Sequence, residues 1–119
     1  MDKMKKDTYF CDIDGTIFLY RKFETYTSSE ATVIPSTKRF LQQKRDEGHM
    51  IILTTARPED LREHTLLELH KNNIPYHRLI MGIERGPRYI INDMDPNKPG
   101  DRAIGINLTR DKGITNREL

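Results

Sequence analysis

The segment Thr8-Tyr9-Phe10-Cys11-Asp12-Ile13-Asp14-Gly15-Thr16 carries the strongest structural signal in this sequence. Its first residues are rich in β-branched and aromatic types, with lysines before them and Asp-Gly after them, which predicts a strand over residues 8–13. Open α/β sheets place ligand-binding groups at the carboxyl ends of their strands. Two acids, Asp12 and Asp14, are therefore expected at a functional edge of a sheet.

Downstream of this strand, helix signals alternate with apolar runs. Ser36 or Thr37 can cap a helix for which Gly48 is the residue just after the end. A second strand follows over residues 49–54, and Pro58 is expected at the first position of a second helix. This order of elements is typical of α/β proteins.

The second helix is expected to end around residues 72–73, and three further strands are predicted over residues 78–81, 89–92 and 103–107. The prediction is an α/β fold, a Rossmann-like three-layer sandwich with a mostly parallel five-stranded sheet. Residues 82–88 are too few for a helical crossover, so either that connection has no helix or one strand is misassigned.

Residues 17–34 are expected to form a flap and loop over the end of the first strand. Two short runs of apolar and aromatic residues, 17–20 and 23–26, predict an irregular hairpin or flap, and a loop then leads to Pro35. The aromatic side chains of the flap can close over a substrate, pack in the core or form a subunit interface.

Length and composition predict a single domain over residues 1–119. Apolar residues make up 35% and charged residues 32%, and no segment is apolar enough to span a membrane. The net charge of +2 is no argument for a nucleic-acid binder, and residues 1–6 are expected to form a solvated basic arm. The single Cys11 excludes an internal disulfide, and the N-terminus lacks the apolar run of a signal peptide, so a cytoplasmic location is expected.

Asp12 and Asp14 are the first candidate catalytic residues. Two carboxylates this close repel each other unless a cation or a proton lies between them, and Mg²⁺ held by oxygens is the natural partner. One carboxylate can attack a phosphorus atom while the other handles the proton of the leaving group.

A second constellation follows the second strand, where Thr55 precedes the Pro-started helix. Its hydroxyl and the first helical N–H groups can hold phosphoryl oxygens, although the same pattern alone is an ordinary helix cap. The flanking candidates for substrate binding are Gly15, Thr16, Thr54 and Arg57.

A third group of candidates surrounds the predicted strand over residues 89–92. Asp93 follows that strand and can reach the same cation, whereas Asp95 is one step further out and can instead only shape the Asp-Pro turn. Arg85 and Arg88 precede the strand and can neutralise charge on a transferring phosphoryl group, or simply belong to a solvated basic loop.

The order of these motifs resembles the haloacid dehalogenase superfamily of phosphatases. The resemblance covers roughly residues 8–107 and implies that Asp12 is the nucleophile and that Asp14 protonates the leaving oxygen and later activates water. It implies Thr55 as the hydroxyl of the second motif, and Mg²⁺ held by the Asp12 carboxylate, the Asp14 main-chain carbonyl and Asp93.

Two positions depart from the pattern of that superfamily. Its third-motif cation is usually Lys, whereas here either Arg85 or Arg88 must serve, and Asn92 stands where a second acid or Gly is usual before Asp93. The amide of Asn92 can still donate or ligate.

The resemblance also implies the capless type, because residues 17–34 hold only a flap and residues 59–88 only a helix and a strand. Such an open site implies a macromolecular substrate or a second copy of the chain that completes the pocket. A small sugar phosphate is the expected substrate class. The alternatives are a polynucleotide 3′-phosphatase and a phosphate-binding or phosphoryl-accepting module without turnover.

Overall fold

The computed structural model describes residues 6–115 and contains a parallel sheet of three strands. These are β1 (Thr8–Asp12), β2 (Met50–Thr54) and β3 (Arg78–Ile80), in the order β1-β2-β3. The register places Asp12 opposite Thr54, and Thr54 opposite Ile80. The carboxyl ends of the three strands therefore meet at one edge, as the sequence predicts for an α/β fold.

Two helices connect the strands, α1 (Pro35–Asp46) and α2 (Arg62–Lys71). Gly48 follows α1 at φ +92°, as predicted for the residue after a helix end. The predicted starts of both helices are wrong. Ile34 is the N-cap of α1, with Pro35 in its first turn, so neither Ser36 nor Thr37 caps it.

The start of α2 is displaced because Pro58 adopts an extended ψ of 157°. A short 3₁₀ turn, Glu59–Leu61, comes next, and the α-helix begins only at Arg62. A Pro at the start of this region therefore fixes the entry of the chain but is not itself helical.

The core lies between the sheet and the two helices. Ile51 and Leu53 of β2 are fully buried, and they cluster with Leu41 of α1 and Leu69 of α2. Ile13, Ile17 and Phe18, just beyond β1, are also fully buried. The first acidic motif is thus anchored by apolar side chains on both of its sides.

The flap is a loop and not a hairpin. Its base is closed by a bridge between Phe18 and Val33 and by the hydrogen bonds Leu19 N to Thr32 O (2.9 Å) and Ile34 N to Ile17 O (2.7 Å). One 3₁₀ turn, Phe23–Thr25, lies inside it.

The prediction of five strands is not met within residues 6–115. Residues 89–92 and 103–107 form no strand, and β1 pairs with β2 on one side only. Ile91 is 93% exposed and Ile104 is 74% exposed, so the apolar character that predicts these strands is not used in packing.

The basic arm predicted over residues 1–6 lies outside the described residues, apart from Lys6. No helix in the described part of the chain is long and apolar enough to cross a membrane.

Candidate active site

The first acidic motif leaves β1 in a tight turn. The amides of Thr16, Ile17 and Phe18 donate to Ile13 O at 3.2, 2.8 and 3.1 Å, and Gly15 N donates to Phe18 O at 2.7 Å. Gly15 has φ +87°, a conformation that favours glycine. The amides of the two predicted substrate-binding residues of this motif therefore shape the turn that presents the acids.

Asp12 is half-buried at the mouth of this turn. Burial raises the pKa of its carboxyl group, whereas the hydrogen bond from Thr16 and the positive charge of Arg88 lower it and the negative charge of Asp14 raises it. Thr16 Oγ1 donates to Asp12 Oδ2 at 3.1 Å. The carboxylate is thus oriented by its own turn and lies within the field of a cation.

Asp14 is held by a bidentate contact with Arg57. Arg57 Nε donates to Asp14 Oδ2 at 2.9 Å, and Arg57 Nη2 donates to Asp14 Oδ1 at 2.8 Å. A paired, planar contact of this kind fixes the orientation of the carboxylate. Each oxygen keeps a further acceptor site after these bonds, so Asp14 can still bind a proton or a water molecule.

Arg57 is the most buried charged side chain of the site. Its side chain has no exposed surface, and Nη1 donates to Thr65 Oγ1 at 3.0 Å and to Glu68 Oε1 at 2.9 Å. Burial opposes its charge, but hydrogen bonds and charges of Asp14 and Glu68 raise the pKa of Arg57. The guanidinium predicted to bind substrate is therefore surrounded by protein groups.

The two predicted threonines at the end of β2 differ in whether they line the cleft. Thr55 is buried and lines the cleft beside the acids, and its Oγ1 accepts a hydrogen bond from Arg57 N at 3.0 Å. Thr54 lies within β2, opposite Asp12, and is not among the residues that line the cleft.

Arg85 and Arg88 both reach the cleft, as expected for a basic group close to the acids. Both are exposed, and the guanidinium of Arg85 lies 5.9 Å from the ring centroid of Phe23. The positive charge of Arg88 lowers the pKa of the Asp12 carboxyl group. Arg88 is therefore the better candidate for the cation of the third motif.

Asp93 is exposed and is not among the cleft-lining residues, and the same is true of Asn92. Asp95 shapes a turn, because its Oδ1 accepts from Asn97 N at 2.9 Å. Within residues 6–115 no three side chains of His, Cys, Asp or Glu are gathered as a metal site. The structure brings together two of the three predicted ligands, Asp12 and Asp14.

The cleft has a volume of about 120 Å³ and is partly covered by the flap. Tyr20, which is 42% exposed, and the buried Tyr26 both line it, whereas Phe18 belongs to the core. Burial and the adjacent Asp14 raise the pKa of Tyr26 to about 12. The remaining lining residues are Asp12, Asp14, Thr55, Ala56, Arg57, Arg85 and Arg88.

The site contains a buried acid that the sequence analysis did not identify, Glu68 of α2. It is 8% exposed and contacts both Arg57 and Arg21 of the flap. Its position on the helix face that also carries Thr65 and Leu69 is the sequence feature that indicates a paired acid, because an acid on a buried face needs a partner.

The chain is similar to known proteins in sequence pattern and in fold. The family model described as haloacid dehalogenase-like hydrolase matches residues 9–77. No curated protein matches the sequence.

Solved structures are similar in fold. A chain in the "Structure of Pnkp1/Rnl/Hen1 complex" has a TM-score of 0.60 and 25% identity, over 74% of this chain and 32% of that one. A chain in the "Structure of the Pnkp1/Rnl/Hen1 RNA repair complex" has a TM-score of 0.58 and 27% identity, over 70% and 27%. This chain therefore spans about a third or less of the length of those two.

A crystal structure of a target protein from Vibrio cholerae supports the fold alone. Its TM-score is 0.54 at 18% identity, over 71% of this chain and 79% of that one. The family model covers more than half of the chain and includes both acids and the Thr55 motif. The chain belongs to the haloacid dehalogenase-like hydrolases.

Proposed function

We propose that this protein is a capless, Mg²⁺-dependent phosphatase that hydrolyses a phosphomonoester, a small sugar phosphate or similar metabolite, through a phosphoaspartate on Asp12. The observation that carries the proposal is the pairing of two differently held acids in one cleft. Asp12 is oriented by its turn and faces a cation, while Asp14 is clamped by Arg57. The small flap over residues 17–34 supports the capless type.

In this proposal Asp12 is the nucleophile. One of its carboxylate oxygens attacks the phosphorus atom, and the bond from phosphorus to the ester oxygen breaks as the new bond forms. Arg88 neutralises charge on the phosphoryl oxygens during the transfer, and Arg85 lies beside it in the cleft. Thr55 and Ala56 border the same space.

Asp14 handles the protons. Its carboxyl group gives a proton to the departing oxygen, then takes one from the water that attacks the phosphoaspartate and regenerates the Asp12 carboxylate. Because Arg57 holds both oxygens of Asp14, the side chain keeps one orientation through both steps.

Mg²⁺ would be held by the Asp12 carboxylate, the Asp14 main-chain carbonyl and Asp93, all of them hard oxygen ligands. The bidentate contact with Arg57 occupies the Asp14 side chain, which fits a role for its main-chain oxygen. Bound there, the ion would supply positive charge that stabilises the transferring phosphoryl group.

We also propose that residues 89–92 and 103–107 complete a five-stranded sheet at the open edge of β1. The open edge, the apolar character of both segments and the exposure of Ile91 support this pairing, which would carry Asp93 toward Asp12. Hydrogen exchange should report added protection of amides 90–92 when Mg²⁺ and a phosphate analogue are present. Unchanged exchange in this segment would contradict it.

The function is tested by phosphate release from a panel of sugar phosphates, nucleotides and an aryl phosphate, with Mg²⁺ and with EDTA. We expect turnover that EDTA abolishes and that Asp12→Asn reduces by at least a factor of about 10³, since nucleophile and electrostatic contributions are of that order. Full activity of Asp12→Asn would refute the mechanism.

A polynucleotide 3′-phosphatase is the second candidate. It is supported by the two structurally similar chains from the Pnkp1/Rnl/Hen1 complexes and by exposed basic and aromatic residues around the cleft. The guanidinium of Arg110 lies 4.0 Å from the ring centroid of Tyr20 at this rim. A 3′-phosphorylated oligonucleotide should then be the best substrate, with KM rising steeply between low and moderate salt.

The non-turnover alternative is a module that binds phosphate through the same acids. It predicts binding of a phosphoryl mimic with no release of phosphate from any member of the panel.

A second copy of the chain that covers the open cleft is a further proposal, which a measurement of the molar mass in solution tests. The single Cys11 supports a reducing, cytoplasmic location.

A further inference from the structure

Glu68 joins two arginines that come from different parts of the chain. Both of its carboxylate oxygens accept from Arg21 Nη2, at 3.0 and 2.9 Å. Arg57 Nη1 donates to Oε1 at 2.9 Å, and His64 Nε2 lies 3.1 Å from Oε2. The side chains of Arg21 and Glu68 are each 10% exposed, and that of Arg57 is not exposed at all.

The contacts of the two arginines continue in opposite directions from Glu68. Arg57 leads to Asp14 through its bidentate contact. Arg21 leads into the flap, because its Nη1 donates to two main-chain carbonyl oxygens there, at 3.2 and 3.0 Å. Negative and positive charges therefore alternate from the cleft, through α2, to the flap.

Glu68 is the only acid that both arginines share among these contacts. A buried guanidinium that loses a counter-ion is strongly unfavourable, so the carboxylate of Glu68 stabilises the buried positions of both arginines. Contacts of Asp14 and of the flap therefore meet at one side chain, which is not among the cleft-lining residues.

We propose that Glu68 is a positioning residue for the reaction, which holds Arg57 in place to orient Asp14 and holds the flap over the cleft through Arg21. The inference rests on the proposed function, because it assumes that Asp14 transfers the proton to the leaving oxygen. Glu68 acts on the reacting atoms only through Arg57.

Glu68→Gln tests this role because it keeps the size and shape of the side chain and removes its charge. An alkyl phosphate needs a proton on its leaving oxygen, whereas a nitrophenyl phosphate needs little help. If Glu68 acts through Asp14, kcat/KM, which covers only the steps up to departure of the leaving group, should fall about tenfold or more further for the alkyl phosphate than for the nitrophenyl phosphate, within the range of general acid catalysis. A residue that only stabilises the fold would lower both values equally.

Arg21→Gln separates the two branches. It leaves the contacts of Glu68 with Arg57 in place, so the ratio of the two kcat/KM values should stay as in the wild type. The flap should loosen in both variants, and limited trypsin digestion should cut after Lys22 faster than in the wild type. This readout does not depend on activity.

Glu30→Gln is the matched control, because it removes an ion pair with Lys71 of the same helix that is exposed on both sides. It should leave both kcat/KM values and the digestion rate unchanged. If Glu68→Gln does not fold in a thermal melt, Glu68→Asp replaces it, and the same preferential loss on the alkyl phosphate is expected.

Equal losses on the two substrates in the folded Glu68 variant, or wild-type digestion of the flap, overturn this inference. The proposed function survives that result if Asp12→Asn is inactive. If Asp12→Asn retains full activity, the proposed function itself fails, so the two failures are distinguishable.

Discussion

The chain divides into two regions that treat their apolar residues in opposite ways. Residues 8–81 hold every strand and helix of the described chain, and Ile51, Leu53 and Leu69 there are fully buried. Residues 83–108 form no helix or strand, and Ile91 and Ile104 are largely exposed. Both regions carry isoleucines next to acids, so local composition alone does not decide which run becomes a strand.

The two regions differ in the neighbouring strands with which their apolar runs pair. β2 has a strand on each side, and a short connection leads back to it from α1. Residues 89–92 follow a seven-residue connection, 82–88, and the edge of β1 that they would join is open. The first region contains the clamp on Asp14, and the second contains Asp93, which the proposed metal site requires.

The largest effect that separates the two regions should come from their arginines. Arg57→Met leaves Asp14 and Glu68 buried without their shared cation and should lower the free energy of unfolding by about 3–5 kcal/mol. Arg88→Met, at an exposed position, should change it by about 0.5 kcal/mol or less. Urea denaturation compares the two, and an Arg57→Met protein as stable as Arg88→Met would contradict the clamp.

Ile51 and Ile91 allow the two regions to be compared with the same substitution. Ile51→Ala should cost about 2–5 kcal/mol because it opens a cavity in the core. Ile91→Ala should cost about 0.5 kcal/mol or less when measured in EDTA, since Ile91 is 93% exposed. Similar losses in the two variants would show that residues 89–92 are packed even without a cation.

A smaller effect is expected from two glycines. A Cβ on Gly113 would overlap Ser36 Oγ and lie 2.7 Å from Ile34 Cγ2, and Gly113 has φ +75°. Gly113→Ala should therefore cost about 1–3 kcal/mol. Gly86, in the region without helix or strand, has no atom within 4 Å of such a Cβ, so Gly86→Ala is the control and should be close to neutral. Equal melting temperatures would refute the close packing of Gly113 against Ile34 and Ser36.

The sequence predicts the parts of this fold that rest on short-range patterns. The apolar runs before Asp12 and Thr55 become β1 and β2, and Gly48 ends α1 at a positive φ. The helix starts were missed because Ile34 and Pro58 adopt extended conformations that capping preferences did not indicate. The last two strands were predicted from apolar character, which cannot specify a pairing partner.

The site, too, can be predicted from the sequence only in part. The proximity of Asp12, Asp14 and Thr55 follows from the shared edge of a parallel sheet. The contacts of Glu68 with Arg21 and Arg57 cannot be predicted from the sequence in this way, because they join residues 47 and 11 positions apart. Pairings of that kind depend on the tertiary packing of the flap against α2.

The proposed phosphoaspartate on Asp12 is tested most directly by trapping the phosphoryl group on the enzyme. Wild-type protein and Asp14→Asn are mixed with an aryl phosphate and Mg²⁺, quenched in acid and mapped by peptide mass spectrometry. We expect one added phosphoryl group on Asp12, more abundant in Asp14→Asn because water is no longer activated, and absent from Asp12→Asn. A phosphoryl group on another residue, or phosphate release by Asp12→Asn at the wild-type rate, would contradict it.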